Sequence, residues 1–248
     1  MTLKKKGYAI LNDFKFEIQP VAIKYFVRLP ENIKHIDQKM TLCEMLVKAQ
    51  KGDVFYSEAN DHTCGAGPYV LGQSDIEGPF ISGEFGAGLG VFRDNRAASR
   101  LYHYIPHIER HVVNYAAFSP LDKLPFDPDI LLILANISQA EIILRAMSYK
   151  NGQMWSSRYS AAIGCAWLLA YPYLRGEINF ISTGLGFGMR RRKLFPEGRQ
   201  FISIPYDRLP SMMETLGEMP WVPEPYKPNG MEFARQLLIR LGLEQSTT

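Results

Sequence analysis

The chain has 248 residues, 46% of them apolar, so it can bury a substantial core without help from disulfides. Its formal charge of +3 is nearly balanced, which argues against a general nucleic-acid-binding surface, and no apolar run reaches the length of a membrane span. Three cysteines, an odd number without tight spacing, read as reduced thiols of a cytoplasmic protein, and the start, MTLKKKGYAI, has a basic tip with no apolar signal core behind it.

After a short polar lead, PVAIKYFVRL at 20–29 mixes β-branched and aromatic residues and stops at Pro30, which predicts a strand carrying Lys24. Over 38–50, Leu42, Met45, Leu46 and Ala49 recur at helical spacing and put Cys43 beside the apolar face. DVFYS at 53–57 predicts a short strand. Asn60, Asp61, His62 and Thr63 then offer capping side chains just ahead of Cys64, which predicts Cys64 in the first turn of a helix. There the exposed backbone N–H groups and the helix dipole favour a thiolate. The stretch 78–93 holds five glycines and reads as an irregular loop, after which Asp94 caps a helix ending at Tyr104. His103, His107 and His111 are four apart, but Pro106 interrupts the helix that would align them.

A strand over 112–118 is followed by DILLILA at 129–135, an apolar run typical of a buried central strand. Asn136 and Ser138 cap a helix over 139–150. An apolar helix over 160–171 carries Cys165 and breaks at Pro172. A strand over 177–182 leads into a glycine loop, and a strand over 201–205 leads into a helix over 207–216. Prolines 220, 223, 225 and 228 form a linker. An amphipathic helix over 231–243 then docks on the body or on a second copy of the chain, the latter making a homodimer.

Four landmarks recur in order at an offset of roughly a hundred residues: helix-ending Gly52 and Gly152, Cys64 and Cys165, Gly-Leu-Gly at 88–90 and 184–186, and Arg93 and Arg190. An internal duplication follows as the architectural expectation, with a first half over 1–110, a second over 111–219, and a linker and terminal helix over 220–248. The fold class is α/β of the α+β kind: a mixed sheet built from two similar fused halves, with helices packed on it.

Three thiols drawn from both halves, Cys43, Cys64 and Cys165, can hold zinc with an open fourth position, or three irons of an iron–sulfur cluster. They can equally be small core residues, since the chain has no C-x-x-C. The glycine loops admit a second site, in which Gly88, Gly184, Gly186 and Gly188 offer backbone N–H groups to a small anionic ligand or cofactor. Arg93 and Arg190 would stand behind them, and Asn136 and Gln139 at the mouth of the central strand. The spacing matches neither a phosphate-binding P-loop nor a dinucleotide fingerprint, and no helix is expected to open at 184–190.

PVAIKY at 20–25, LCEMLVKAQKG at 42–52, the cysteine and apolar run at 64–72, FSPLDKLPFDPDILLI at 118–133, Asn136 with Gln139, the Cys165 helix and the loop at 184–190 together resemble the domain-of-unknown-function 169 (DUF169) family of archaea and anaerobic bacteria. The resemblance spans roughly 20–216 and implies no activity. It implies that Cys43, Cys64 and Cys165 occupy positions where the family tends to carry cysteine. Some members place a further cysteine in the late glycine loop, where this chain has Leu185, so at most three thiol ligands remain.

Three functions follow from these residues. The first is binding of a metal, an iron–sulfur cluster or a redox cofactor by the three cysteines, with the glycine and arginine loop holding an anion. The second is an enzyme with Cys64 as nucleophile and His62 as its base. The third is a non-catalytic binding or assembly module with core cysteines.

Overall fold

A computed structural model describes residues 5–244; the first four residues of the basic tip and the last four of the terminal segment lie outside it. Six strands, β1 (Val21–Phe26), β2 (Phe55–Ser57), β3 (Tyr115–Pro120), β4 (Ile130–Ala135), β5 (Asn179–Ser182) and β6 (Gln200–Pro205), form one sheet in the order β2-β3-β1-β4-β6-β5. The α+β class holds, but the sheet is antiparallel at every pairing rather than mixed. The reason lies in strand insertion. Each strand–helix–strand unit does bring its second strand back parallel to its first, yet β3 inserts between β1 and β2, and β6 between β4 and β5. Read from either edge, the order is edge strand, middle strand, inner strand.

β4 has the sequence ILLILA, and all six residues are buried. Ile130, Leu132 and Leu134 join Val21, Ile23, Phe118 and Phe201 on one face, while Leu131, Ile133 and Ala135 join Ile202 and Ile204 on the other. The second face is covered by the helices Ile137–Ser148 and Leu209–Glu218 and by a 3-10 helix, Lys5–Phe14. That last element lies where a polar lead was expected. Its buried Tyr8, Leu11 and Phe14 recur every three residues, the period of a 3-10 helix rather than of an α-helix or a strand.

The first face carries the cysteines. It is covered by the helices Leu42–Gln50 and Ala66–Val70 and by a helical stretch that starts at Gly164. Pro172 does not break this stretch. Ala166–Ala170 forms a π turn, with Tyr171 N–H bonded to Ala166 O, and Tyr171–Arg175 continues as α-helix. The wide turn absorbs a ring that would otherwise clash with the carbonyl four residues back. The expected loop over 78–93 contains two short helices, Gly78–Ile81 and Glu84–Gly88, and the late glycine loop opens directly into a helix, Phe187–Arg192. Among the described residues no helix is long and apolar enough to cross a membrane.

The two three-strand groups meet where β1 pairs with β4 over three residues, Val21–Ile23 against Leu132–Ile130. Asp129 extends this ladder past its end. Its N–H donates to Ile23 O at 2.8 Å, and its carboxylate accepts Tyr25 N–H at 2.7 Å and the Lys24 ammonium at 2.8 Å. Asp129→Ala leaves the Tyr25 N–H and Lys24 without this partner, and we expect it to lower unfolding free energy by roughly 1.5–3 kcal/mol. A urea titration with an unshifted midpoint would show that the join does not depend on this side chain.

Candidate thiol site

The Leu42–Gln50 helix starts at Leu42 because Thr41 and Glu44 form a capping box: Thr41 Oγ1 accepts Glu44 N–H at 3.3 Å and Glu44 Oε2 accepts Thr41 N–H at 2.7 Å. Cys43 is therefore the residue in a first helical turn. Cys64 precedes the short Ala66–Val70 helix, whose N-cap is Gly65, and none of the polar residues at 60–63 caps it. Asp61 instead accepts Glu58 N–H and pairs with His35 at 2.8 Å. Cys165 follows Gly164 at the start of the third helical stretch, two residues after Ile163, which is held at φ +57°. A β-branched residue in the left-handed region is strained, and strain of this kind concentrates at functional sites.

The fold brings the three thiols, all free and partly buried, within electrostatic reach of one another. Burial pushes Cys43 up to about 11; charge on Cys64 adds to this, while Arg192 and the Cys43 backbone N–H oppose it. Burial likewise raises Cys165 well above the ordinary thiol value, reinforced by Cys43 and Cys64 and opposed by the backbone N–H groups of Cys165 and Ala166. The lowering expected at a helix start is present in both cases, and burial outweighs it. Tyr159 belongs to the same cluster: burial raises it to about 12, with further contributions from Cys165 and Cys43. Among the described residues, no group of three or more His, Cys, Asp and Glu side chains is already arranged to hold a metal ion.

His62 borders the cluster. Its Nε2 is 3.1 Å from Gln73 Oε1, and its Nδ1 is buried without a partner. A Cβ on Gly67 would stand 2.7 Å from that Nδ1 and 3.3 Å from Cys64 Sγ, so the glycine keeps open a space that both atoms border. Burial pushes the imidazole down to about 4, against smaller opposing contributions from Gln73 and Asp61.

The late glycine loop docks on the segment leading to Cys165. Gly184 and Gly186 take φ of +79° and +82°, the Tyr159 hydroxyl donates to Leu185 O, and Phe187 N–H donates to Ala161 O at 2.9 Å. Arg190 is exposed, and it is Arg192 whose charge acts on Cys43 and Glu44. Gly188 lies within the Phe187–Arg192 helix. In the first half, Gly88 ends the Glu84–Gly88 helix, and Arg93, 92% exposed, pairs with its neighbour Asp94. Asn136 and Gln139 form a reciprocal capping box, and the Gln139 amide also donates to Phe14 O at 2.9 Å, so capping accounts for both. His107 meets Tyr69 at 2.9 Å, apart from any histidine face.

With this arrangement in view, the sequence matches the family described as uncharacterised ArCR, DUF169, over residues 9–215. The chain belongs to the DUF169 family. It is also 26% identical over 192 residues to the uncharacterized protein MJ0308 of Methanocaldococcus jannaschii, an alignment covering 76% of this chain and 81% of that protein. No solved structure matches it. In this DUF169 protein Leu185 is 54% exposed.

Two outcomes follow for the metal-free DUF169 protein. Cys43 should alkylate with iodoacetamide at pH 8 about a hundredfold more slowly than an ordinary exposed thiol, since its pKa is raised from 9.0 to about 11; peptide mass spectrometry resolves the rate, and one close to that of free cysteine would contradict the burial. His62 has its pKa depressed from 6.5 to about 4, so its contribution to stability is complete above pH 6.5 and is lost as pH falls towards 4. In His62→Gln that part of the acid slope should vanish from denaturation midpoints measured across the window; an unchanged slope would reassign it.

Proposed function

We propose that this protein is a cytoplasmic carrier of a soft metal centre held by the thiolates of Cys43, Cys64 and Cys165. The observation that supports this reading is the convergence of three thiols from three distant segments, two of them at helix starts whose backbone N–H groups act on the sulfur. Thiolate ligands suit zinc or an iron–sulfur cluster, and hydrogen bonds to sulfur tune such clusters. The thiols are not preset around a single point, so loading draws them inward by rotation or spans the gap with a group larger than one ion. The donor chemistry, the unpartnered His62 nitrogen and the space kept open at Gly67 fit such a group. Arg192 would offset the negative charge of a thiolate centre, and the Arg190–Arg192 turn would hold a small anionic ligand beside it. The mirrored strand order supports, as part of the same proposal, descent of the two sheet halves from one duplicated unit, with the division after β3 rather than at residue 110.

One observation favours a second reading. The bare His62 nitrogen borders the same space as the Cys64 sulfur and would serve as a base for that thiol, which would then act as a nucleophile.

Protein purified without oxygen or chelator should contain zinc or iron in near-stoichiometric amount. The metal should fall to background in each of Cys43→Ser, Cys64→Ser and Cys165→Ser, and iron should bring a broad absorption near 400 nm. Elemental analysis and an absorption spectrum decide it, and a colourless, metal-free protein overturns the proposal.

A further inference from the structure

We infer that His62 supplies a fourth donor to the thiol centre through Nδ1, and that Gln73 and Asn114 hold it in the tautomer this requires. The inference rests on the three-thiolate reading and extends it from three sulfur donors to three sulfurs and one imidazole nitrogen.

The tautomer follows from a chain of hydrogen bonds. Asn114 is fixed to the sheet by its N–H to Phe26 O at 2.9 Å and by its amide to Val27 O at 2.8 Å. The Asn114 carbonyl accepts Gln73 Nε2 at 3.2 Å, so the oxygen of the buried Gln73 amide must face His62. Reversing the amide would set two acceptors against each other. An oxygen facing His62 Nε2 at 3.1 Å takes a proton from it, and a neutral ring with its proton on Nε2 presents a bare lone pair at Nδ1. That nitrogen is buried and has no partner, a state that is unfavourable unless another group satisfies it.

The surroundings of that nitrogen point to the group. Nδ1, Cys64 Sγ and Leu42 Cβ border the space that a Gly67 side chain would fill, so the buried nitrogen shares that space with one thiol of the cluster. A histidine that binds through one ring nitrogen while donating its other N–H to an anchored acceptor is the usual arrangement of a metal-ligating histidine. Once loading draws the thiols inward, three thiolates and one imidazole would make up the four-donor set that zinc takes in structural sites.

The test uses the full chain, reduced, stripped with chelator and titrated with Zn2+. We expect the Nδ1 resonance of His62, followed by long-range 15N correlation, to move on zinc binding while Nε2 keeps its proton. We expect affinity, measured by chelator competition, to fall at least tenfold in His62→Ala and to recover in His62→Cys. Gln73→Leu keeps the ring but frees its tautomer and should weaken binding by about 10–100-fold, the range for loss of a supporting partner; it also provides an answer if His62→Ala fails to fold by circular dichroism. Wild-type zinc affinity in both His62→Ala and Gln73→Leu, with binding still lost in the cysteine variants, would overturn this inference and leave the three-thiolate centre standing. A wild-type chain that binds no zinc overturns this inference, and it overturns the three-thiolate centre as well if the protein as purified without oxygen also holds no iron. A Cys64 alkylation rate that then falls in His62→Ala would assign the lone pair to the nucleophile instead.

Discussion

The sheet depends on a short join. β1 and β4 pair over three residues before their paths separate, and at that point the backbone of Tyr25 would lose its partner. The Asp129 carboxylate takes that N–H and also neutralises Lys24, so a side chain finishes a ladder that the strands leave open. Everything on either side is arranged about this seam. β3 and β6 lie outside the inner pair, β2 and β5 form the edges, and the inner strands, buried on both faces, demand a covering layer above and below.

The two layers are chemically unlike. One face is closed by two regular helices and a 3-10 helix packed through leucine, isoleucine and methionine. The other is closed by shorter pieces, among them the Ala66–Val70 helix and the π turn at Ala166–Ala170, and the cysteines stand where these pieces begin. Short helices place several N-termini close together. The positive backbone ends that accumulate there are opposed by the low polarity of the surroundings, which is why both Cys43 and Cys165 stay protonated despite favourable N–H groups.

Much of the sheet is legible in the sequence where pattern and period are strong. ILLILA reads as a doubly buried strand and is one, and Asn136 with Gln139 reads as the start of a helix. The run from Thr41 to Glu44 carries a capping-box signature that starts the helix at Leu42, and it moves Cys43 from mid-helix to the first turn. Antiparallel pairing is hidden from local pattern, because β3 comes long after β2 in the chain and yet separates it from β1. The site is harder still. Arg190 and Arg192 differ by two positions on one short helix, which points them in different directions, and only the fold decides which charge acts on Cys43. His62 and Gln73 are eleven residues apart with no periodic relation, so their hydrogen bond, and the lone pair it fixes, exist only in the fold.

The mutual influence of the thiols bears on which chemistry the site suits. Charge on Cys64 raises Cys43, and charge on Cys43 and Cys64 raises Cys165, so without a positive partner those two thiols resist ionisation, and Arg192 offsets only part of that at Cys43. A nucleophile needs an accessible thiolate, which neither Cys43 nor Cys165 offers in its free state. A soft cation reverses the sign of every one of these interactions, since a thiol that coordinates a metal is deprotonated outright. The burial and crowding that make free Cys43 and Cys165 poor nucleophiles are therefore conditions under which a bound cation would gain from them, and on the proposed reading the neutral imidazole of His62 would add a donor without adding charge.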